Sequence, residues 1–121
     1  MSHSSFRGIL WLTSSSIILV HGLSGDERTT WQCGSMFWPD ELLKEHGRSR
    51  VLVFAYDRNI WTDGSMALME TAAEQLIDKV VESRASSGVH YRPILWIAHS
   101  LGGCLVKAVW RDHVPTRCSC C

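Results

Sequence analysis

The chain has 121 residues, which is enough for one domain with one hydrophobic core and too few for two. Twelve basic side chains balance twelve acidic ones, and 45% of the residues are hydrophobic. This composition is that of an ordinary globular protein, and it provides no basic surface for nucleic acid. We therefore expect a single functional site and no nucleic-acid partner.

The N-terminal region carries a weak targeting signal and no membrane-spanning segment. Residues 1–25 include Arg7 and no acidic residue, a weak resemblance to a mitochondrial presequence. The apolar run at 9–20 is interrupted by four polar residues at 13–16, so it is too short and too polar to cross a bilayer. The sequence thus predicts no transmembrane segment.

Taken in chain order, short apolar runs predict three strands, at residues 17–20, 50–56 and 94–98. Residues 8–12 are a candidate for a preceding edge strand. The three runs are continuous rather than alternating, which is typical of strands buried on both faces of a parallel sheet.

Helical patterns fill the intervals between these runs. Pro39 suits the start of a short helix, and Gly47 suits its end. Residues 67–84 have the spacing of an amphipathic helix, and a further helix begins near Leu101. The apolar face of the long helix contains Leu68, Ala72, Leu76 and Val80, with Met69, Ala73, Ile77 and Val81 beside them. This alternation predicts an α/β fold, with crossover helices on a parallel sheet of about three strands.

The five cysteines follow no pattern that would bind a metal or build a disulfide framework. Cys33 and Cys104 stand alone, while Cys118, Cys120 and Cys121 lie together. A disulfide framework needs an even set spread along a secreted chain, and zinc needs paired ligands at regular spacing. The sequence therefore predicts a reduced intracellular chain with no metal and no cofactor.

Ser100 lies where the third predicted strand meets the helix that follows it. The pattern Ala-x-Ser-x-Gly at 98–102 is typical of a nucleophile elbow, in which a strained turn exposes the serine hydroxyl. Gly102 lets helix and strand approach closely, Gly103 is expected to support the turn, and Ala98 stands where the usual pattern has glycine. His99 is expected to pack in the turn or to face solvent.

The loop after the first predicted strand is expected to contribute to the same site as Ser100. The strand runs into His21-Gly22-Leu23, where Gly22 permits a close approach and His21 shapes the loop. In such folds one backbone amide after this strand and one after the nucleophile bind the oxyanion. The amides of Leu23 and Leu101 are the predicted donors.

These blocks together resemble a known family of proteins. The matching segments are VHGLSG at 20–25, TW at 30–31, FWP at 37–39, FAYD at 54–57, RPI at 92–94 and HSLGG at 99–103. They resemble the α/β-hydrolase domain of the serine active site-containing proteins, and the lipase-like domains of fungal nucleotide-binding and ankyrin-repeat proteins. The resemblance covers about residues 8–110.

The resemblance implies a partial α/β-hydrolase fold and a lipase, esterase or acyltransferase ancestry. The implied substrate is a lipid or another acyl ester. The implied location is the membrane of mitochondria or of the endoplasmic reticulum. Residues 1–110 would then be the N-terminal half of the domain, and residues 111–121 an irregular cysteine-rich tail.

The catalytic partners of a serine nucleophile are not recognisable in this sequence. In this fold the acid and then the histidine follow the serine along the chain. Asp112 and His113 are the acid and histidine after Ser100, but neighbouring helical side chains point about 100° apart. Asp57 better suits a turn or cap. We therefore expect a truncated hydrolase domain that is weakly active or inactive alone; the alternative is a non-catalytic module whose open sheet edge binds a protein partner.

Overall fold

The computed structural model describes residues 15–62, 64–87 and 92–113. Its strands and helices, in chain order, are β1 (Ser16–Val20), β2 (Gln32–Cys33), β3 (Met36–Phe37), α1 (Trp38–Glu45), β4 (Arg50–Phe54), α2 (Met66–Ser87), β5 (Ile94–Ala98) and α3 (Gly102–His113). Two 3-10 turns, Thr29–Trp31 and Arg58–Trp61, follow β1 and β4. The predicted alternation of strands and helices is confirmed.

A three-stranded parallel sheet forms the centre of the molecule, in the order β4-β1-β5. Val20 at the end of β1 pairs with Phe54 of β4 and with Ala98 of β5. The carboxyl ends of the three strands therefore lie level at one edge of the sheet, which is where ligands bind in such folds. The predicted α/β architecture is confirmed.

Helices cover both faces of the sheet, and the apolar residues of β1 point alternately towards the two helical layers. Ile18 and Val20 belong to the core cluster that contains the buried residues of α2 and α3. Ile17 and Leu19 pack with Trp31 on the opposite face, next to α1. Every residue of β1 is buried, so this strand anchors both layers.

The outer strands differ from the prediction of strands buried on both faces. β4 and β5 are mostly half-buried or exposed, and Leu95 retains 38% of its exposure. The reason is their position, since each has a strand on one side only within the described chain. β4 also ends at Phe54, short of the predicted end at Tyr56, because its pairing with β1 ends there. The candidate edge strand at 8–12 lies outside the described residues.

The helices α2 and α3 extend further than the sequence pattern predicts. α2 spans Met66–Ser87 rather than 67–84, and α3 reaches His113. Residues 111–113 of the predicted irregular tail are therefore helical. None of the helices in the described ranges has the length and apolar character needed to cross a membrane.

Candidate functional site

Ser100 occupies a tight turn between β5 and α3. Its φ is +55°, in the left-handed region that residues with a side chain seldom adopt. The amide of Gly102 donates to the carbonyl of His99 at 3.0 Å, and the amide of Gly103 donates to the carbonyl of Ser100 at 3.1 Å. These hydrogen bonds close the turn, and Ser100 is exposed at the carboxyl edge of the sheet.

Two glycines let the loop after β1 touch this turn. A Cβ atom on Gly22 would lie 2.5 Å from the carbonyl oxygen of His99 and 2.9 Å from the amide nitrogen of Leu101. A Cβ atom on Gly102 would collide with the carbonyl oxygens of Val20 and His21. Backbone therefore packs directly on backbone at both positions, and no larger residue fits without a shift.

Gly103 behaves differently from its neighbour. A Cβ atom built there would meet no atom within 4 Å among the described residues. The close approach that the sequence pattern predicts two residues after the serine is thus found at Gly102 and not at Gly103. The structure gives no steric reason for glycine at position 103.

The structure places the two predicted oxyanion donors beside Gly22. Leu23 follows Gly22 directly, and the amide of Leu101 lies against Gly22. Within the described chain neither amide donates a hydrogen bond to a backbone carbonyl. Their side chains are partly exposed, at 44% for Leu23 and 36% for Leu101. Two amides that have no backbone acceptor among the described residues thus lie near the contact between Gly22 and the Ser100 turn.

His21 is an interior residue of the loop rather than a group open to solvent. Its side chain is fully buried, and its ring stacks on Tyr56 with centroids 4.1 Å apart and planes 4° from parallel. Its Nδ1 lies 3.2 Å from the carbonyl oxygen of Gly22, and its Nε2 has no hydrogen-bond partner among the described residues. The buried ring thus contacts both Tyr56 and the carbonyl of Gly22 in the loop.

Tyr56 ties this loop to the segment after β4. Its hydroxyl donates to the carbonyl of His21 at 2.5 Å and accepts from Nε1 of Trp61 at 2.8 Å. Burial raises the pKa of this phenol above its ordinary value, and the hydrogen bond from Trp61 offsets part of that rise. The sequence gives no role to Trp61, and Tyr56 stands in the matching FAYD segment without a pattern that would assign it this contact.

Asp26 fixes the far side of the same loop. One carboxylate oxygen accepts from the amides of Arg28 and Thr29, the first at 2.8 Å. These hydrogen bonds, the bond from Thr29 most of all, lower the pKa of Asp26 below its ordinary value. The Asp26 amide donates to Oγ1 of Thr30 at 3.1 Å, so the loop is held at both ends of the turn.

The remaining predicted groups do not converge on Ser100. His99 is exposed, and its ring meets the buried ring of Trp31 edge-on at 6.5 Å. Asp112 pairs with Arg111 at 2.7 Å near the far end of α3, roughly 15 Å from the turn at the helical rise per residue. Asp57 caps the 3-10 turn by accepting from the amide of Asn59 at 2.9 Å. Among the described residues, none forms a hydrogen bond with the Ser100 hydroxyl.

Comparison with known proteins gives one curated relative. Protein SERAC1 of Danio rerio is 27% identical over an alignment of 119 residues. The alignment covers 81% of this chain and 18% of that protein. The chain therefore spans less than a fifth of the relative that it matches. No family model matches the chain, and no solved structure matches it.

Proposed function

We propose that this chain carries the nucleophile and the oxyanion site of a lipase-like serine hydrolase that acts on acyl esters, with Ser100 as the nucleophile. The observation that carries the proposal is the positive φ of Ser100 in a turn pressed against Gly22. A strained turn between a parallel strand and a helix is the setting in which such hydrolases expose a nucleophilic serine. The sequence resemblance to lipase-like domains supports the same reaction.

In the proposed reaction, Oγ of Ser100 forms a bond to the ester carbonyl carbon while its proton passes to a base. The carbonyl oxygen becomes an oxyanion, to which the amides of Leu23 and Leu101 donate. The intermediate then expels the alcohol, and water releases the acid from the acyl-serine. Each oxyanion donor of this kind contributes about 10²–10³ in rate.

Several residues position these groups without touching the substrate. Gly22 and Gly102 set the distance between loop and turn, and His21 holds the loop through its contact with Tyr56. His99 and Gly103 complete the turn around Ser100. A change at these positions would act through the placement of the two amides.

The proposed reaction also needs a histidine and a carboxylate that activate the serine. A serine hydroxyl is a weak nucleophile unless a histidine takes its proton and a carboxylate orients that histidine. No described histidine is hydrogen-bonded to Ser100, so we expect this chain alone to react slowly. From the sequence resemblance to lipase-like domains, we propose that the substrates are lipid esters and that the activity is located at mitochondrial or endoplasmic reticulum membranes.

Labelling with a fluorophosphonate tests the assignment of the nucleophile. The expected result is slow covalent labelling that maps to Ser100 and is abolished by Ser100→Ala. The control is Ser35→Ala, which alters an exposed serine in the turn between β2 and β3 and should leave labelling unchanged. Labelling that survives in Ser100→Ala, or none at all in a folded chain, would contradict the proposal.

A second candidate function is a non-catalytic module that binds a protein partner. The observation that favours it is the open edge of β5, where Leu95 is 38% exposed on one face of the sheet and Trp110 of α3 is 51% exposed on the other. A partner bound there would raise the melting temperature of the wild-type chain and of Ser100→Ala equally. A serine hydrolase would instead show a ligand response that depends on Ser100.

A further inference from the structure

A small polar pocket opens beside the loop that follows β1. Its volume is about 240 Å³, and the residues that line it are Leu23, Ser24, Arg58, Asn59 and Thr62. Leu23 and Ser24 belong to the loop that carries one proposed oxyanion donor. The other three belong to the 3-10 turn after β4 and to the residue that ends it. The pocket thus lies between the loop that carries a proposed oxyanion donor and the turn that carries the positively charged Arg58.

Hydrogen bonds hold the two walls of the pocket together. Trp61, at the end of the 3-10 turn, donates to Tyr56, which donates to the carbonyl of His21 just before the loop. Ile60 of the same turn is 9% exposed and packs in the main core. The backbone that carries Arg58 is therefore held in place, and a bound ligand has only the arginine side chain left to order.

Arg58 forms no ion pair with a carboxylate of the described residues. The ion pairs within the described ranges involve other cations. The nearby Asp57 and Asp26 accept hydrogen bonds from backbone amides, and Asp63 lies outside the described residues. The side chains of Asn59 and Ser24 add neutral hydrogen-bonding groups.

Resting on the proposed function, we propose that this pocket binds an anionic group of the ester substrate, a carboxylate or a phosphate, with Arg58 as the specificity-determining residue. A guanidinium presents several fixed N–H donors that match the oxygens of either anion. Leu23 lines the pocket and its amide is one of the proposed oxyanion donors, so the pocket adjoins the loop of the proposed reaction site. The substrate class is therefore an acyl ester that also carries an anionic group.

The test measures binding without turnover, in the full chain carrying Ser100→Ala. The probes are monoethyl succinate, an ester with a carboxylate, and diethyl succinate, its neutral analogue. Titrations followed by the amide NMR signals of Leu23 and Asn59 give the two dissociation constants. We expect the anionic ester to bind about tenfold more tightly, the usual effect of a charged hydrogen bond.

Variants of Arg58 identify the cationic group. Arg58→Gln should abolish the preference for the anionic ester, while Arg58→Lys should retain most of it. Arg111→Gln, at the far end of α3, removes a positive charge elsewhere and should change nothing. A second pair, 1-acetylglycerol 3-phosphate and 1-acetylglycerol, shows whether phosphate or carboxylate is the preferred anion.

Three results would overturn the assignment. These are equal binding of the neutral and anionic esters, a preference that persists in Arg58→Gln, and a preference that appears only when Asp63→Asn is added. The last would mean that a carboxylate of the chain itself occupies the pocket. Since binding is measured without Ser100, a failure of fluorophosphonate labelling would remove the proposed hydrolase while leaving the anion site in place.

Discussion

Position 102 shows how a single missing side chain can shape a site. The helix that begins at Gly102 touches the end of β1 through main-chain atoms, and Ser100 is held at positive φ two residues earlier. The close contact at Gly102 leaves no room for a Cβ atom. The left-handed conformation of Ser100 is unfavourable by of order 1–3 kcal/mol. The packing around the turn has to compensate for that cost.

Gly102 and Gly103 allow this steric argument to be tested with a matched pair. Gly102→Ala should destabilise the fold by about 1–3 kcal/mol, because the new methyl group collides with the carbonyls of Val20 and His21. Gly103→Ala should be neutral or should stabilise the helix by up to about 1 kcal/mol. Urea unfolding of both variants gives the two changes in free energy. Equal losses in the two variants would contradict the contact at Gly102.

At the scale of elements, the strands and the long helices were predictable from local pattern. Continuous apolar runs identified β1 and β5 because parallel strands need several consecutive apolar residues. The hairpin of β2 and β3 was not predicted, since two-residue strands have no periodicity. The two 3-10 turns were missed for the same reason. Pattern also could not tell that only β1 would be buried on both faces, because that depends on the order of strands.

The face of α2 that packs on the sheet is narrower than its sequence pattern. Leu76 and Val80 are buried as predicted, together with Ala72 and Ala73. Leu68, on the same predicted face, is 39% exposed. Position along the helix decides this difference, since burial depends on what lies opposite each turn as well as on spacing.

A pair of leucines on α2 tests this description. Leu76→Ala should lower the free energy of unfolding by about 2–5 kcal/mol, because a residue that is 1% exposed leaves a cavity. Leu68→Ala makes the same chemical change at a partly exposed site and should cost less than about 1 kcal/mol. Denaturant melts of the two variants provide the comparison. A loss at Leu68 as large as that at Leu76 would show that the helix is seated differently.

For the molecule as a whole, the sequence located the candidate site but not its surroundings. The turn at Ser100 and the loop at Gly22 could be predicted, because each lies at the end of an apolar run with a short recognisable motif. The pocket lined by Arg58 could not, since it depends on the order β4-β1-β5, which brings the ends of β1 and β4 together. Contacts between segments distant in the chain leave no local pattern.

The outer edge of β5 is expected to govern association between molecules. An edge strand offers unpaired backbone groups to other chains, and a lysine on such a strand opposes that pairing. Leu95→Lys should therefore reduce concentration-dependent association, as measured by sedimentation velocity. Leu43→Lys, on the exposed side of α1, changes a leucine of similar exposure and should have little effect. An equal reduction in both variants would point to net charge rather than to the edge.

The central position of β1 also sets the order in which the site can form. β1 pairs with β5, and most of the described chain separates the two strands in sequence. Contacts between segments so far apart close slowly during folding. The Gly22 contact that presses on Ser100 exists only after β1 and β5 have met. Until then Ser100 lacks this contact, so under the proposed function a nascent or partly unfolded chain would carry no reactive nucleophile, and labelling of Ser100 would report completed folding.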